Sequence, residues 1–167
     1  VTVFALAAGA LLRRSSDEDA RLAFLAFARS AAGGRELQAC QHAMGGGKAL
    51  NYFCATGAPP AEAAADGCYI FQTDALSPDV IGYGGPITLA VAVNADGTIL
   101  DVRVLRSDEP PSYLDFLKPW LQRLAGGNRV AGDPLKNVDA VTGATLTSTA
   151  IIRILRRAGP TFAAEAL

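Results

Sequence analysis

The stretch that decides the fold is ITLAVAVNADGTILDVRVL, which occupies residues 87–105. Its first seven residues are almost all aliphatic, and branched aliphatic residues return after residue 98. Between the two parts, residues 94–97 read Asn-Ala-Asp-Gly, which are residue types that favour the tight turn of a hairpin. The stretch therefore predicts two antiparallel strands, over 87–93 and 98–105, joined by that turn.

The flanking sequence adds a strand before the hairpin and two helices after it. Residues 68–71 predict the strand, and residues 75–80 a connection. Two adjacent prolines indicate a loop at 107–113, and apolar residues at helical spacing predict helices over 113–124 and 145–157. The inward face of the last helix is predicted to hold Leu146, Ala150, Ile151, Ile154 and Leu155. The fold class is α+β, an antiparallel sheet packed with helices.

The N-terminal residues combine an apolar run with a second helical pattern. Residues 1–12, VTVFALAAGALL, are apolar apart from Thr2. Because a bilayer core needs about twenty residues, we interpret this run as the end of a membrane anchor, with a buried helix as the alternative. Ser15 or Ser16 is expected to cap a separate helix that ends at Gly33 and Gly34, with Leu22, Phe24, Leu25 and Phe27 on its apolar side.

Residues 31–67 are rich in Gly, Ala and Pro, which predicts an irregular segment rather than a core element. The chain is therefore expected to comprise an N-terminal helical segment over 1–30, this irregular segment, and a domain over 68–167. A chain of 167 residues can bury a sizeable core without metal or disulfide support.

Composition excludes several classes of function. Fifteen basic residues nearly balance sixteen acidic ones, so the chain has no electrostatic signature of a nucleic-acid-binding protein. His42 is the single histidine, which removes most histidine-based metal sites and Ser-His-Asp catalysis. No GxGxxG dinucleotide-binding motif occurs either, which counts against a reductase that binds a nicotinamide cofactor.

The three cysteines, Cys40, Cys54 and Cys68, leave several states open. Their spacing matches neither an iron–sulfur nor a haem-attachment pattern. One disulfide with a spare thiol is expected of an exported protein, and buried free thiols are the alternative. With His42 they could also form a Cys3His metal site, although the separations match no common pattern.

The most informative motif is DAVTGATLTS, residues 139–148, at the start of the last predicted helix. It places hydroxyl groups and a glycine where backbone N–H groups have no partner within the helix. A phosphate bound there would meet these donors and the positive end of the helix dipole. An ordinary Ser or Thr helix cap is the alternative interpretation.

This motif resembles a family of FMN-binding domains in which FMN is attached to threonine through a phosphoester. The family occurs in the C subunit of the sodium-translocating NADH:quinone oxidoreductase, in the G subunit of Rnf-type complexes, and in membrane regulators of the nitrous-oxide-reductase regulator type. The matching positions are Asp139, Thr142, Gly143, Ala144, Thr145 and Ser148. Residues 82–87 with the hairpin are a second match, and residues 109–113 are similar to the family's Glu-Thr-Pro loop, with Pro110 in place of Thr. The resemblance covers 68–158.

The resemblance implies that Thr145 carries FMN covalently, that a separate FAD-dependent FMN transferase attaches it, and that the 68–167 region is the FMN-binding domain. It implies phosphate donors from Gly143, Ala144, Thr147 and Ser148. It implies that the ring lies near Glu109, Pro110, Pro111 and Ser112. No catalytic residue of the chain is needed, because the transferase performs the attachment and the flavin performs the redox chemistry.

The function implied by the resemblance is an electron-transfer subunit of a membrane-associated redox complex, anchored on the extracytoplasmic, periplasmic face. Its partners would be the transferase and the other subunits. One alternative is a structural subunit that keeps the fold without flavin. The other is an enzyme, either a flavin reductase or a metal-dependent hydrolase that uses the cysteines and His42.

Overall fold

The computed structural model describes residues 2–44, 48–56, 67–132, 135 and 137–167. Within these residues, three helices and five strands follow one another along the chain. In order, they are α1 (Thr2–Ala32), β1 (Glu36–Met44), β2 (Lys48–Thr56), β3 (Cys68–Gln72), β4 (Ile87–Asn94), β5 (Ile99–Ser107), α2 (Pro111–Arg123) and α3 (Thr145–Ala166).

The five strands form one antiparallel sheet in sequence order, each hydrogen-bonded to the next. Val91 at the centre of β4 pairs with Phe71 of β3 and Val102 of β5. The Asn94 side chain accepts a hydrogen bond from the Thr98 N–H, and Gly97 adopts a φ of +80° that closes the turn. The predicted hairpin and the α+β class are confirmed.

The two faces of the sheet carry side chains of different size, because alternate residues of a strand point to opposite faces. Large residues cover one face, against α2 and α3: Phe71, Leu89, Val91 and Val93. Smaller residues dominate the other face, against α1: Ala55, Cys68, Ala90 and Ala92, with Ile70. The small side chains leave room for Phe24 and Phe27 of α1. The result is a sheet between two helical layers.

Helix α1 is continuous over Thr2–Ala32, so the predicted break at Ser15 and Ser16 is wrong. The preceding Ala- and Leu-rich residues favour helix strongly, and two serines weaken it by only a few tenths of a kcal/mol each. The helix ends as expected at Gly33 and Gly34, both with positive φ. Among the described residues, no helix has the length and apolar character needed to cross a membrane.

The apolar side of α1 is narrower than predicted. Phe24 and Phe27 are buried, whereas Leu22 is 59% exposed.

At 31 residues the helix is about 46 Å long, and a nine-residue strand of the sheet is about 30 Å long. The helix is therefore longer than the strands that it covers.

The expectation of an irregular segment over 31–67 is wrong where β1 and β2 lie. The two strands pair along their full length, from Glu36 with Thr56 to Met44 with Lys48. Cys40 and Cys54 form a disulfide between them, with a Cα–Cα distance of 6.4 Å. The Cys3His site is therefore not formed by these residues, because two of its four ligands are bonded to each other.

Cys68 is the remaining cysteine, a free thiol buried at the start of β3. Burial raises the pKa of this thiol, and the positive charge of Arg35 lowers it by a smaller amount. Of the states left open by the sequence, the structure thus contains one disulfide and one buried thiol.

Both C-terminal helices are longer than predicted. Helix α2 begins at Pro111, because the first position of a helix needs no N–H donor. Helix α3 continues beyond residue 157 to Ala166, through Pro160. The Phe162 ring stacks on Phe71 with a centroid distance of 3.9 Å. Burial of such a ring contributes about 1.5–3 kcal/mol, which offsets the hydrogen bond lost at the proline.

Candidate functional site

The loop that precedes α3 is held by hydrogen bonds on both of its sides. The Trp120 indole N–H donates to the Asp139 carbonyl at 3.2 Å. The Val141 N–H donates to Ser148 Oγ at 2.8 Å, and Ser148 Oγ donates to the Ala144 carbonyl at 2.8 Å. The Ala144 N–H in turn donates to the Val141 carbonyl at 3.0 Å. We call residues 139–145 the acceptor turn.

Thr145 is the first residue of α3, and its side chain is exposed. Its hydroxyl donates only a long hydrogen bond, 3.3 Å, to the Val141 carbonyl. The residue before it, Ala144, provides no side-chain cap. The N–H groups of Thr145, Leu146 and Thr147 therefore lack acceptors within the helix, at its positive end. An accessible hydroxyl and backbone donors for an anion thus lie at the same place.

Glu109 connects this helix end to two other segments. It is only 5% exposed, and its Oε2 accepts a hydrogen bond from the Thr147 hydroxyl at 2.8 Å. Its Oε1 accepts from the Gly84 N–H at 3.0 Å. Gly82 leaves the space that this carboxylate fills, because a Cβ at residue 82 would overlap Oε1. Residues 82–85, the glycine loop, are thereby tied to α3.

Aromatic residues of the glycine loop and of α2 lie near one another, and one of them, Phe116, lies beside the acceptor turn. Tyr83 is 61% exposed, and its ring is 5.8 Å from that of Tyr113 on α2. Phe116 is one helical turn further along α2 and is 56% exposed. Its ring faces Gly143, where an added Cβ would lie 3.8 Å from Phe116 Cε1. We call Tyr83, Tyr113 and Phe116 the aromatic patch. Clustered exposed apolar side chains commonly mark a binding surface.

The residues of the predicted phosphate site lie close together, but some of their polar groups are hydrogen-bonded within the protein and others are not. Thr147 and Ser148 are buried, and their hydroxyls bond within the protein. The N–H groups of Ala144 and Ser148 are also taken, by the carbonyls of Val141 and Ala144. The donors that remain at the helix end are the N–H groups of residues 145–147. Asp139, Thr142 and Gly143 are exposed on the acceptor turn.

In the loop predicted to lie near the flavin ring, residues 109–112, some side chains also point inward and others are exposed. The Glu109 carboxylate is turned inward, to Thr147 and Gly84. Pro110 is half-buried, and Pro111 and Ser112 are exposed in the first turn of α2. The 109–112 loop therefore adjoins the aromatic patch through its proline and serine residues rather than through the carboxylate.

Two features of the site were not predicted from the sequence: the burial of the Thr147 and Ser148 hydroxyls, and the aromatic patch. Helical periodicity could have predicted the burial, because Thr147 and Ser148 precede the buried Ile151 by four and three residues and share its face. The same periodicity places Leu146, predicted to face inward, on the outer side, where it is 66% exposed. The aromatic patch had no local signal, because Tyr83 and Tyr113 are distant in sequence and come together only in the folded protein.

Comparison with known proteins identifies the region that holds this site. The FMN-binding domain family matches residues 82–159. The G subunit of the ion-translocating oxidoreductase complex of Escherichia coli O157:H7 is 34% identical over 98 residues, which are 52% of this chain and 47% of that protein. The G subunit of the proton-translocating ferredoxin:NAD(+) oxidoreductase complex of Clostridium ljungdahlii is 35% identical over 85 residues, 46% of each chain.

A third relative is the G subunit of the ion-translocating oxidoreductase complex of Stutzerimonas stutzeri, 34% identical over 91 residues, or 47% of this chain and 40% of that protein. The chain thus spans about half the length of the curated relatives it matches, or less. The matched residues include the glycine loop, Glu109, the acceptor turn and most of α3. Residues 82–159, the part of the chain that holds the candidate site, are thus similar to the FMN-binding domain family.

Proposed function

We propose that this chain is an electron-transfer subunit of a membrane-associated redox complex and that it carries FMN on the hydroxyl of Thr145. The observation that carries the proposal is the exposed Thr145 hydroxyl at an uncapped helix end, within a domain of the FMN-binding family. The relatives in ion-translocating and ferredoxin:NAD(+) oxidoreductase complexes support the role in electron transfer.

The residues of the helix end fit a phosphate ester. A phosphoester on Thr145 carries negative charge, and the first turn of α3 presents N–H groups and the positive end of the helix dipole. Leu146 and Thr147 would supply backbone donors to its oxygens. Their side chains do not compete, because the Leu146 side chain is apolar and the Thr147 hydroxyl is bonded to Glu109.

The aromatic patch fits the ring system of the cofactor. Tyr83 and Phe116 present exposed ring surface, and Phe116 lies beside the acceptor turn. Aromatic side chains pack favourably against a planar heterocycle. When bound, FMN supplies the redox chemistry by taking up and releasing electrons. The chain's own residues bind and orient it, and none of them is required as a proton donor or nucleophile in electron transfer.

The attachment reaction requires only an accessible hydroxyl from this chain. A separate FAD-dependent transferase would break the pyrophosphate bond of FAD, form the bond between Thr145 Oγ1 and the FMN phosphorus, and release AMP. The hydroxyl proton leaves with this step. Among the described residues, that hydroxyl donates to the Val141 carbonyl, which is too weak a base to take the proton. The transferase would therefore supply the base.

Two observations support a membrane-anchored position on the extracytoplasmic face. Disulfides persist in oxidising compartments, and Cys40 and Cys54 form one. Residues 2–12 of the apolar run lie in α1, which is longer than the strands of the sheet. Protease treatment of intact spheroplasts tests this placement: the protein should be digested without lysis, and protection until lysis would contradict it.

Substitution of the acceptor threonine tests the covalent linkage. Co-expression with the transferase should give a flavin-fluorescent band in a denaturing gel for the wild type and for Thr145→Ser, which keeps a hydroxyl. Thr145→Ala should give no band, because alanine has no attacking oxygen. Thr142→Ala removes a neighbouring exposed hydroxyl and should keep the band. A fluorescent Thr145→Ala band would overturn the assignment.

A further inference from the structure

Among the acidic residues that the structure describes, Glu109 is unusual because it is only 5% exposed. Buried carboxylates are rare unless they are paired or hydrogen-bonded. In the part of the chain that the structure describes, the partners of Glu109 are neutral donors: the Gly84 N–H and the Thr147 hydroxyl. These donors lie 25 residues before and 38 residues after it in sequence.

We propose that Glu109 is the positioning residue of the flavin site. One of its carboxylate oxygens binds the glycine loop, and the other binds the first turn of α3. Tyr83 adjoins Gly84, and Thr145 lies two residues before Thr147. The carboxylate thereby fixes the separation between the aromatic patch, which would hold the ring, and the hydroxyl that would hold the phosphate. This inference rests on the proposed function.

The local backbone is built around this carboxylate. The Glu109 N–H donates to Ser107 Oγ at 2.9 Å, which fixes the direction of the chain just after β5. Gly82 has no side chain at the point that Oε1 occupies. At Gly84 the backbone approaches the Asp108 carbonyl so closely that a Cβ would not fit. These features bring the glycine loop within reach of one carboxylate.

The chemistry of the two hydrogen bonds to the Glu109 carboxylate predicts which substitutions preserve them. Glutamine keeps an oxygen acceptor for the Gly84 N–H, and its amide can donate to the Thr147 hydroxyl, which rotates to accept. Alanine removes both acceptors. Valine at 147 keeps the shape of threonine but removes the donor. Glu109→Ala and Thr147→Val therefore break the hydrogen-bonded link between the glycine loop and α3, whereas Glu109→Gln preserves its geometry.

The first experiment measures flavin attachment to the full chain. Each variant is incubated with the transferase and FAD, the rate is followed by intact mass, and circular dichroism establishes that it is folded at the assay temperature. The initial rate should fall at least fivefold in Glu109→Ala and Thr147→Val, and Glu109→Gln should recover most of it. The double variant should be no slower than Glu109→Ala. Controls are Asp108→Asn and Thr149→Val, expected within twofold of wild type.

The second experiment uses the chain before flavin attachment. Amide hydrogen exchange in Glu109→Ala should increase in the glycine loop and in the first turn of α3, and stay unchanged in β3 and β4. Uniformly faster exchange, or folded variants with wild-type attachment rates, would overturn the inference. If the wild type accepts no flavin, the proposed function fails, while the exchange pattern still decides whether Glu109 couples the two segments.

Discussion

Three hydroxyl side chains at the start of α3 have different environments, and the helical repeat determines which is which. Thr147 and Ser148 lie on the face that continues into Ile151 and are buried. Thr145 lies on the outer side and is exposed. The two buried hydroxyls hold the acceptor turn and Glu109 in place. The exposed one remains available for chemistry.

Gly84 is required for its lack of a side chain. A Cβ at this position would overlap the backbone of Asp108. Because backbone cannot move aside as a flexible side chain does, Gly84→Ala should lower the free energy of unfolding by about 1–3 kcal/mol. Urea unfolding measures this change. Gly127→Ala is the control, because a Cβ there meets nothing within 4 Å; equal effects of the two substitutions would contradict the steric account.

At the residue scale, the sequence predicted the acceptor turn well because its residues are contiguous. Thr142, Gly143 and Thr145 lie where the motif indicated, in a turn that opens a helix. The role of Glu109 could not be predicted in the same way. Its two partners are distant in sequence, so their contact depends on the packing of β5 and α3 rather than on any local pattern.

At the scale of single elements, the disulfide joins the two strands at one edge of the sheet. It closes a loop across a sequence separation of 14 residues. Restricting an unfolded loop of about 15 residues stabilises a protein by roughly 3 kcal/mol. A reductant should therefore lower the free energy of unfolding of the wild type by about 2–4 kcal/mol, measured by urea denaturation.

The double variant Cys40→Ser, Cys54→Ser is the matched control for this measurement. It should be as unstable without the reductant as with it, because Cys68 is a free thiol and has no disulfide to lose. A reductant effect of the same size in the double variant would show that the stabilisation has another source.

The two strands β1 and β2 were not predicted, for a physical reason. The residues of β1 are exposed or half-buried, both strands include few branched aliphatic side chains, and Gly- and Pro-rich sequence surrounds them. The strands are stabilised by their pairing with each other, by the pairing of β2 with β3 and by the disulfide, rather than by an intrinsic preference of their residues for strand structure. The hairpin of β4 and β5, by contrast, carries the full local signal, and its prediction was correct.

At the scale of the whole molecule, hydrogen bonds to aspartate side chains stabilise loops at the surface of the fold. Hydrogen bonds from Arg157 of α3 hold the pKa of Asp79 below its ordinary value of 3.8. Hydrogen bonds from Thr98 lower the pKa of Asp96 in the same direction. Because these pKa values are lower in the folded state, the stabilisation is complete above about pH 4 and is lost as the pH falls through the folded values.

Asp79→Asn should therefore reduce the sensitivity to acid. The free energy of unfolding, measured with urea at about pH 7 and about pH 3, should fall less between the two values in Asp79→Asn than in the wild type. Asp74→Asn, at an exposed aspartate of the same loop region, should behave like the wild type. Equal losses in all three proteins would contradict the assignment to Asp79.

The whole fold is larger than the part that matches the FMN-binding domain family. The matched residues begin at the glycine loop, whereas α1 and the first three strands precede it. These elements nevertheless complete the sheet, and α1 covers one of its faces. The site lies within the matched part, at the N-terminal end of α3 on the opposite side of the sheet.

The most direct test of the central claim is the intact mass of the denatured protein purified from its native membrane. Covalent FMN on Thr145 predicts the mass of the polypeptide plus one phosphoester-linked FMN, with the added mass on the peptide that contains residues 139–148. The mass of the bare polypeptide would contradict the claim and favour a subunit that keeps this fold without a covalent flavin.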